Sequence, residues 1–422
     1  MTRNRSGFSN LVKNSSMMFL LNLAGAGVSV ITIPIMLAIA GVETYGHLVL
    51  VQSLALTAFT LTSFQYWQGM LIALPGHQIG AETLRTKVWR SLRYELLGIG
   101  IVVIGAVVLG LLKLPQTAEF DTWQLLLLVL SAVFPVMGTH TAYFRLVNRY
   151  NVLMMAGFLA SLLKLVCLAS VSYFAPSVLN MVLAFTVPEF IRCVVLFAVI
   201  LRWQKGVEGT LDETSIDPAK IRHAGRWSTL QAICDLPVVQ LDRVIIGFTL
   251  PGASLGVFAI LKRIYALVNM ATSPFYSTSI PEFAARANAG DIAGAFALWR
   301  RTLKILFAVT ASAAILCMLT KGIWMPLAFP VLEQHTVEFA IVLLSAVVAG
   351  TFVTTHSLYW SLGKLRQTTI ISIVSNVLYL CLLATLTWAG GIVGAVSAFL
   401  VHVLLVAATK IFLLNKISLH HR

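Results

Sequence analysis

Charged side chains are scarce in this sequence. They make up 11% of its 422 residues, against 58% hydrophobic residues. Soluble proteins carry roughly 25% charged residues, and a soluble fold of this length could not cover its surface with so few. Signatures of soluble catalysis are also missing: there is no Walker A motif and no HExxH. Gly252-Ala-Ser254-Leu-Gly256 matches GxSxG, but a nucleophile elbow follows a strand, and this match lies between two apolar runs. The five cysteines, Cys167, Cys193, Cys234, Cys317 and Cys381, all fall inside apolar runs and none forms a CxxC pair. Packing is therefore expected of them, with no disulfide and no metal. Nothing calls for a cofactor. The alternating pattern of an outer-membrane barrel is absent too.

What the sequence has is a series of long apolar runs. About 20 apolar residues cross a bilayer as a helix, and backbone polar groups in lipid must bond internally, which favours helices. The runs predict an all-α membrane protein of about 12 transmembrane helices, at roughly 16–40, 47–75, 95–114, 123–144, 150–174, 178–201, 227–250, 255–280, 303–325, 336–360, 368–389 and 392–414. The first run, Ser16 to Ile39, is too long for a signal-peptide core and reads as the first span. The formal charge of +14 would suggest nucleic acid in a soluble protein. Here the basic residues fill short connections, so no nucleic-acid partner is expected. With the N-terminus inside, 22 of the 30 basic residues fall in inside segments and only Lys113 and Lys321 in outside loops. That asymmetry predicts two cytoplasmic termini and an even number of spans. The outside loops are short, which weighs against an enzyme that polymerises or ligates glycans beyond the membrane.

The longest inside segment, about 202–226, follows span six. It predicts a six-helix lobe over 1–205, a cytoplasmic linker over 206–222 and a second six-helix lobe over 223–422. Asp217-Pro218 reads as a helix start. The segment 282–301 mixes apolar and basic residues and reads as lying along the inner membrane surface, or as a solvated connector. A weak repeat supports the division. Gly41-Val-Glu-Thr-Tyr-Gly46 follows span one, and Pro251-Gly252-Ala-Ser-Leu-Gly256 follows span seven. Six spans per lobe give both lobes one orientation, hence a parallel pseudo-repeat about the membrane normal. Gly390 and Gly394 form a GxxxG pair and predict close helix approach.

Ionisable residues inside spans carry the functional signal, because a charge at the helix centre costs about 2.5–3.5 kcal/mol and must face protein or water. Spans seven and eight hold Asp235, Asp242, Arg243, Lys262 and Arg263. Asp235 and Asp242 are seven residues apart and so are expected on one helix face. Asp242-Arg243 and Lys262-Arg263 are expected at matching depth and carry a net charge of +1. These two helices are also the least apolar, with Gln231, Gln240, Pro237, Asn269 and Pro274. They read as lining a wet cavity, the alternative being salt bridges that only pin two helices together. Lys164, Glu189 and Arg192 are weaker candidates for ion coupling or charge pairing, pairing being the simpler reading of Glu189 with Arg192. His140, His356 and His402 read as packing histidines able in principle to relay protons. Tyr66, in Tyr66-Trp67-Gln68, could stack on a sugar or simply pack.

Several stretches resemble Wzx-type flippases of the polysaccharide transporter family, within the multidrug/oligosaccharidyl-lipid/polysaccharide exporter superfamily. They are Pro34 through Gly46; Leu241-Asp242-Arg243-Val-Ile-Ile-Gly247 with Leu255-Gly256 and a basic position in span eight; Pro281; Gly363-Lys364; and Gly391-Ile-Val-Gly-Ala395. The resemblance implies two six-helix lobes around a cleft. It implies translocation of an undecaprenyl-diphosphate-linked oligosaccharide, such as an O-antigen unit of lipopolysaccharide, across the bacterial inner membrane. The lipid bilayer, a glycan polymerase and a chain-length regulator are the partners it implies. Twelve spans suit O-antigen flippases, since peptidoglycan-precursor flippases typically have two more. In this reading Arg243, Lys262, Arg263, Gln240 and Tyr66 contact substrate, and Asp235, Asp242 or Glu189 binds a coupling cation. Spans one and two carry no Arg or Lys, so the cationic lining is expected from the second lobe alone. A multidrug or cation exporter of the same superfamily is the runner-up.

Overall fold

The computed structural model describes residues 2–74, 80–147, 149–203, 218–270 and 272–420. Asp217 and most of the expected linker lie outside the described residues. Apart from short turns the described chain is helical, as its composition requires. The chain divides into two compact units, Met1–Ile233 and Cys234–Arg422.

The first unit begins with α1 (Thr2–Thr62), interrupted at Gly41 by a non-helical glycine with φ 79° and ψ 169°. A β-carbon would strain that conformation. It continues with α2 (Tyr66–Ala73), α3 (Ala81–Leu112), α4 (Thr122–Val133), α5 (Thr139–Leu146), α6 (Tyr150–Phe174) and α7 (Val178–Trp203). Helix α8 (Pro218–Leu236) starts in the first unit and ends in the second. The division between these units falls inside α8. The reason is local: α8 begins docked on α2. A β-carbon on Gly69 would stand 2.3 Å from the Ile221 carbonyl oxygen, and one on Gly225 would stand 2.9 Å from the Phe64 ring. The Gln65 N–H donates to the Thr229 hydroxyl at 3.0 Å.

The second unit contains a π-helical turn (Pro237–Leu241), α9 (Asp242–Thr249), α10 (Gly252–Met270), α11 (Ser273–Asn288), α12 (Ile292–Ala328), α13 (Thr336–Ser361) and α14 (Leu365–His420). Gly391 interrupts α14 with φ 57° and ψ −136°. There the chain reverses: His402 Nδ1 lies 3.2 Å from the Ser375 carbonyl oxygen, and the Tyr379 and His402 rings are 4.8 Å apart. The GxxxG reading is thus realised as a hairpin. A β-carbon on Gly394 would stand 1.8 Å from the Leu386 carbonyl oxygen, whereas one on Gly390 would meet nothing within 4 Å.

Several helix ends differ from the hydropathy reading. Helix α3 starts at Ala81 instead of 95, because residues 81–94 contain no Gly or Pro and several strong helix formers. That brings Glu95 into mid-helix. The expected span 47–75 stops at Thr62 and resumes as α2. The segment 282–301 is the end of α11 and the start of α12, joined at Gly290 (φ 76°), with Asp291 capping α12 by accepting from the Gly294 N–H at 2.8 Å.

Nine helical stretches among the described residues are long and apolar enough to cross a membrane. Two of them lie in α1 and α14, each divided by its glycine, and the stretch from Pro218 to Thr249 is helical but less apolar. The protein is a multi-pass membrane protein of about 12 helices. Within each unit the alternating direction of the helices is visible in what shares an end. In the first unit Tyr66, Leu84, Tyr143, Ile200 and Ile221 form one core cluster, while Thr44 and His47 meet Glu119 at the other end. In the second, Phe283, Trp299, Tyr359, Ile371 and Leu414 cluster together. On α12, Leu316, Leu319, Ile323 and Leu327 are exposed. Their three- and four-residue spacing is a lipid-facing stripe.

Candidate functional site

The second unit is built around an ion pair. Pro237 has no N–H to give, and its ring crowds the preceding turn. The ladder widens into the π-helical turn Pro237–Leu241, and side chains bond the carbonyls around it. Cys234 O accepts from Asn376 Nδ2 at 2.7 Å, and Val238 O accepts from Lys262 Nζ at 3.2 Å. Lys262 also meets Asp242 Oδ2 at 3.0 Å, with side-chain exposures of 7% and 0%. The Tyr379 hydroxyl donates to the same Oδ2 at 3.4 Å, and the Arg243 N–H donates to Oδ1 at 2.8 Å. The ammonium sits over the Phe399 ring, 3.8 Å from its centroid, a favourable cation–π contact. The charge on Lys262 is thus balanced, and the surplus positive charge of the group falls on Arg243. Its Nη1 reaches only the Gln240 Oε1 at 3.5 Å, and its buried Nε has no partner among the described residues.

Beside this pair lies a cavity of about 360 Å³. Its wall includes Val238, Tyr265, Tyr276, His356, Phe399, His402 and Lys410. Val238, Tyr265 and Phe399 also touch or face Lys262. Among the described residues that line it, none is acidic. Lys410 interacts electrostatically with Asp235, which is exposed.

The first unit has its own charged group. Glu189 receives Lys164 at 2.8 Å and Arg192 at 3.0 Å. Lys164 also lies over the Phe185 ring at 4.1 Å, and Arg192 Nη2 donates to Phe134 O at 3.4 Å. Phe134 belongs to the short 3-10 turn Phe134–Val136 that separates α4 from α5. Glu95 caps the start of α5, Oε1 accepting from the Gly138 and Thr139 N–H groups at 2.5 and 3.1 Å.

The expected site residues separate accordingly. Asp242, Lys262, Arg243 and Gln240 come together. Asp235 does not share a face with Asp242: the π-helical turn between them adds residues per turn, leaving Asp235 exposed and Asp242 fully buried. Arg263 is exposed beside a buried Lys262, as adjacent helical positions require. Tyr66 is 1% exposed and sits in the first unit's core against Tyr94, ring centroids 5.6 Å apart. Packing, not a sugar-stacking face, describes its surroundings. Lys164, Glu189 and Arg192 form the pairing that spacing suggested for two of them.

The matching family model is that of the polysaccharide biosynthesis protein, over residues 11–285. The chain belongs to this family. No curated protein sequence matches it. Among solved structures, one neighbour is an inward-facing multidrug resistance MATE family transporter of the MOP superfamily, 14% identical, covering 95% of this chain and 94% of that one, with a TM-score of 0.64. A mutant of the Vibrio cholerae MATE transporter VcmN is 14% identical over 100% of this chain and 99% of its own, with a TM-score of 0.59. A MOP superfamily transporter from Pyrococcus furiosus, described as having a binding pocket of reverse polarity, is 15% identical over 96% and 92%, with a TM-score of 0.58. These likenesses show the fold of the superfamily.

Several residues that sequence reasoning passed over stand in this family member's polar groups: Glu95, Tyr379 and Lys410. Each is an ordinary helix residue by sequence. Lys410 alone had a signal, as a basic residue within the last span.

Proposed function

We propose that the protein is a flippase. It carries an undecaprenyl-diphosphate-linked oligosaccharide, an O-antigen or related repeat unit, across the bacterial inner membrane by alternating access. Both termini lie in the cytoplasm, and a glycan polymerase and chain-length regulator receive the product. The observation that carries this reading is a basic, aromatic-walled cavity beside a buried ion pair, in a member of the polysaccharide biosynthesis protein family. A sugar–diphosphate headgroup is too polar to cross hydrocarbon unaided. Lys410 and Arg243 offer cationic donors of the kind that bind phosphate, while the lipid tail stays in the bilayer. Access to the bound headgroup alternates between the two sides of the membrane.

The second reading is a multidrug or cation exporter, favoured by the multidrug transporters that share the fold. The charge on the cavity wall argues against it: Lys410 repels a cationic cargo. The neighbour with a reverse-polarity pocket is a precedent for the fold carrying a different cargo. A glycan polymerase or ligase would need extended outside structure, and the connections at Gly41, 250–251 and Gly391 are tight. Deleting the gene separates these readings. A flippase leaves lipid-linked oligosaccharide trapped on the cytoplasmic leaflet. Unpolymerised units on the outer leaflet would indicate the enzyme, and an unchanged glycan profile would indicate the exporter.

A further inference from the structure

We propose that Glu95 is a proton-binding site in the first unit, and that the proton it takes up loosens the break between α4 and α5. This rests on the reading of the chain as a transporter and adds a source of drive to it. Glu95 is 2% exposed, and only its Oε1 is used, by the Gly138 and Thr139 N–H groups. Its Oε2 is buried and has no hydrogen-bond partner among the described residues. His140, on the first turn of α5 and 1% exposed, likewise has an unpartnered Nδ1.

The groups around Glu95 leave its charge without a cation. From α5 come His140 and the Thr139 hydroxyl, the latter 2.7 Å from Ser91 Oγ. From α7 comes Cys193, which interacts electrostatically with Glu95 and also with Glu189 and Arg192; Glu189 in turn holds Arg192 and, from α6, Lys164. Both of those cations are already closed on Glu189. Tyr66 lies on α2 and Lys87 two turns back on α3, α1 brings the Ser63 side chain against Gly98, and α4 has no titratable residue. A buried carboxylate answered by two backbone N–H groups and the Thr139 hydroxyl, with no cation, is costly to keep charged.

The open Oε2 is where a proton adds. An O–H bond forms there with a proton from water on one side of the membrane and breaks when the site opens to the other. The group changes between carboxylate and carboxylic acid, with no other reactant. Hydrogen bonds to an ionised acceptor are roughly twice as strong as neutral ones, so protonation weakens the hold on Gly138 and Thr139. The backbone there is tightly fitted: a β-carbon on Gly138 would stand 2.1 Å from the Trp67 indole. Releasing the cap frees α5 to move against α4.

The test uses Glu95→Gln, which keeps an acceptor oxygen but cannot titrate. Infrared difference spectra of the full chain in nanodiscs, recorded across pH, should show a carboxylic-acid band in the wild type that is lost in the variant. In proteoliposomes holding a fluorescent undecaprenyl-diphosphate oligosaccharide, an imposed pH gradient should accelerate translocation at least tenfold less in the variant. An unchanged band, or an unchanged response to the gradient, overturns the proposal. If Glu95→Gln does not fold, Glu95→Asp should move the midpoint at which the band titrates, and an unmoved midpoint overturns it equally. A wild type that moves no lipid-linked oligosaccharide defeats the flippase reading but leaves the infrared result standing.

Discussion

Asp242 is fully buried and takes three donors: the Lys262 ammonium, the Tyr379 hydroxyl and the Arg243 N–H. Removing one partner of such a pair strands the other charge, at a cost of about 3–5 kcal/mol. Lys262→Ala is therefore expected to lower the thermal unfolding midpoint in detergent more than the double change Asp242→Leu with Lys262→Met, which removes both charges. A double variant less stable than the single one would contradict this balance. The pair was legible in sequence because Asp242 and Lys262 stand at matching distances from one tight turn. Tyr379 and Glu95 were not legible, since their roles exist only through partners 137 and 43 positions away. Asp235 misled for a related reason: the seven-residue rule holds for a regular α-helix, and a π-helical turn intervenes.

Each unit breaks a helix near a proline and turns charged side chains onto the freed backbone. Around Pro135, Glu95 takes the Gly138 and Thr139 N–H groups and Arg192 takes the Phe134 carbonyl. Around Pro237, Lys262 takes the Val238 carbonyl. Prolines in membrane helices are tolerated where other groups satisfy the backbone they release. The prolines were visible in sequence, but the residues that answer them were not. The α14 hairpin was visible, because glycines at 390, 391 and 394 interrupt an apolar run. Its tightest point is Gly394, where a β-carbon would overlap a backbone oxygen that cannot swing away. Gly394→Ala is expected to reduce the yield of monodisperse protein on size exclusion sharply, while Gly390→Ala, with open space around it, leaves the yield near wild type. Equal yields would show that the hairpin is looser than described.

Across the whole chain, the hydropathy runs gave the number and class of the helices. The ends moved because the stretches 81–94 and 292–302 are helical although their basic residues interrupt the apolar runs. Within each unit Tyr66, Leu84 and Tyr143, and Phe283, Tyr359 and Leu414, form shared core clusters. The cavity was expected near Lys262 but not with Lys410, His356 and His402 together, since these come from two helices far apart in sequence. The central claim is that this cavity serves an anionic, lipid-linked saccharide. It is tested most directly by purified protein in liposomes loaded with a fluorescent undecaprenyl-diphosphate oligosaccharide, scoring the fraction reachable by an impermeant quencher with time. The wild type should equilibrate the lipid between leaflets, and Lys410→Gln should do so at least tenfold more slowly. Equilibration no faster than in protein-free liposomes would contradict the account.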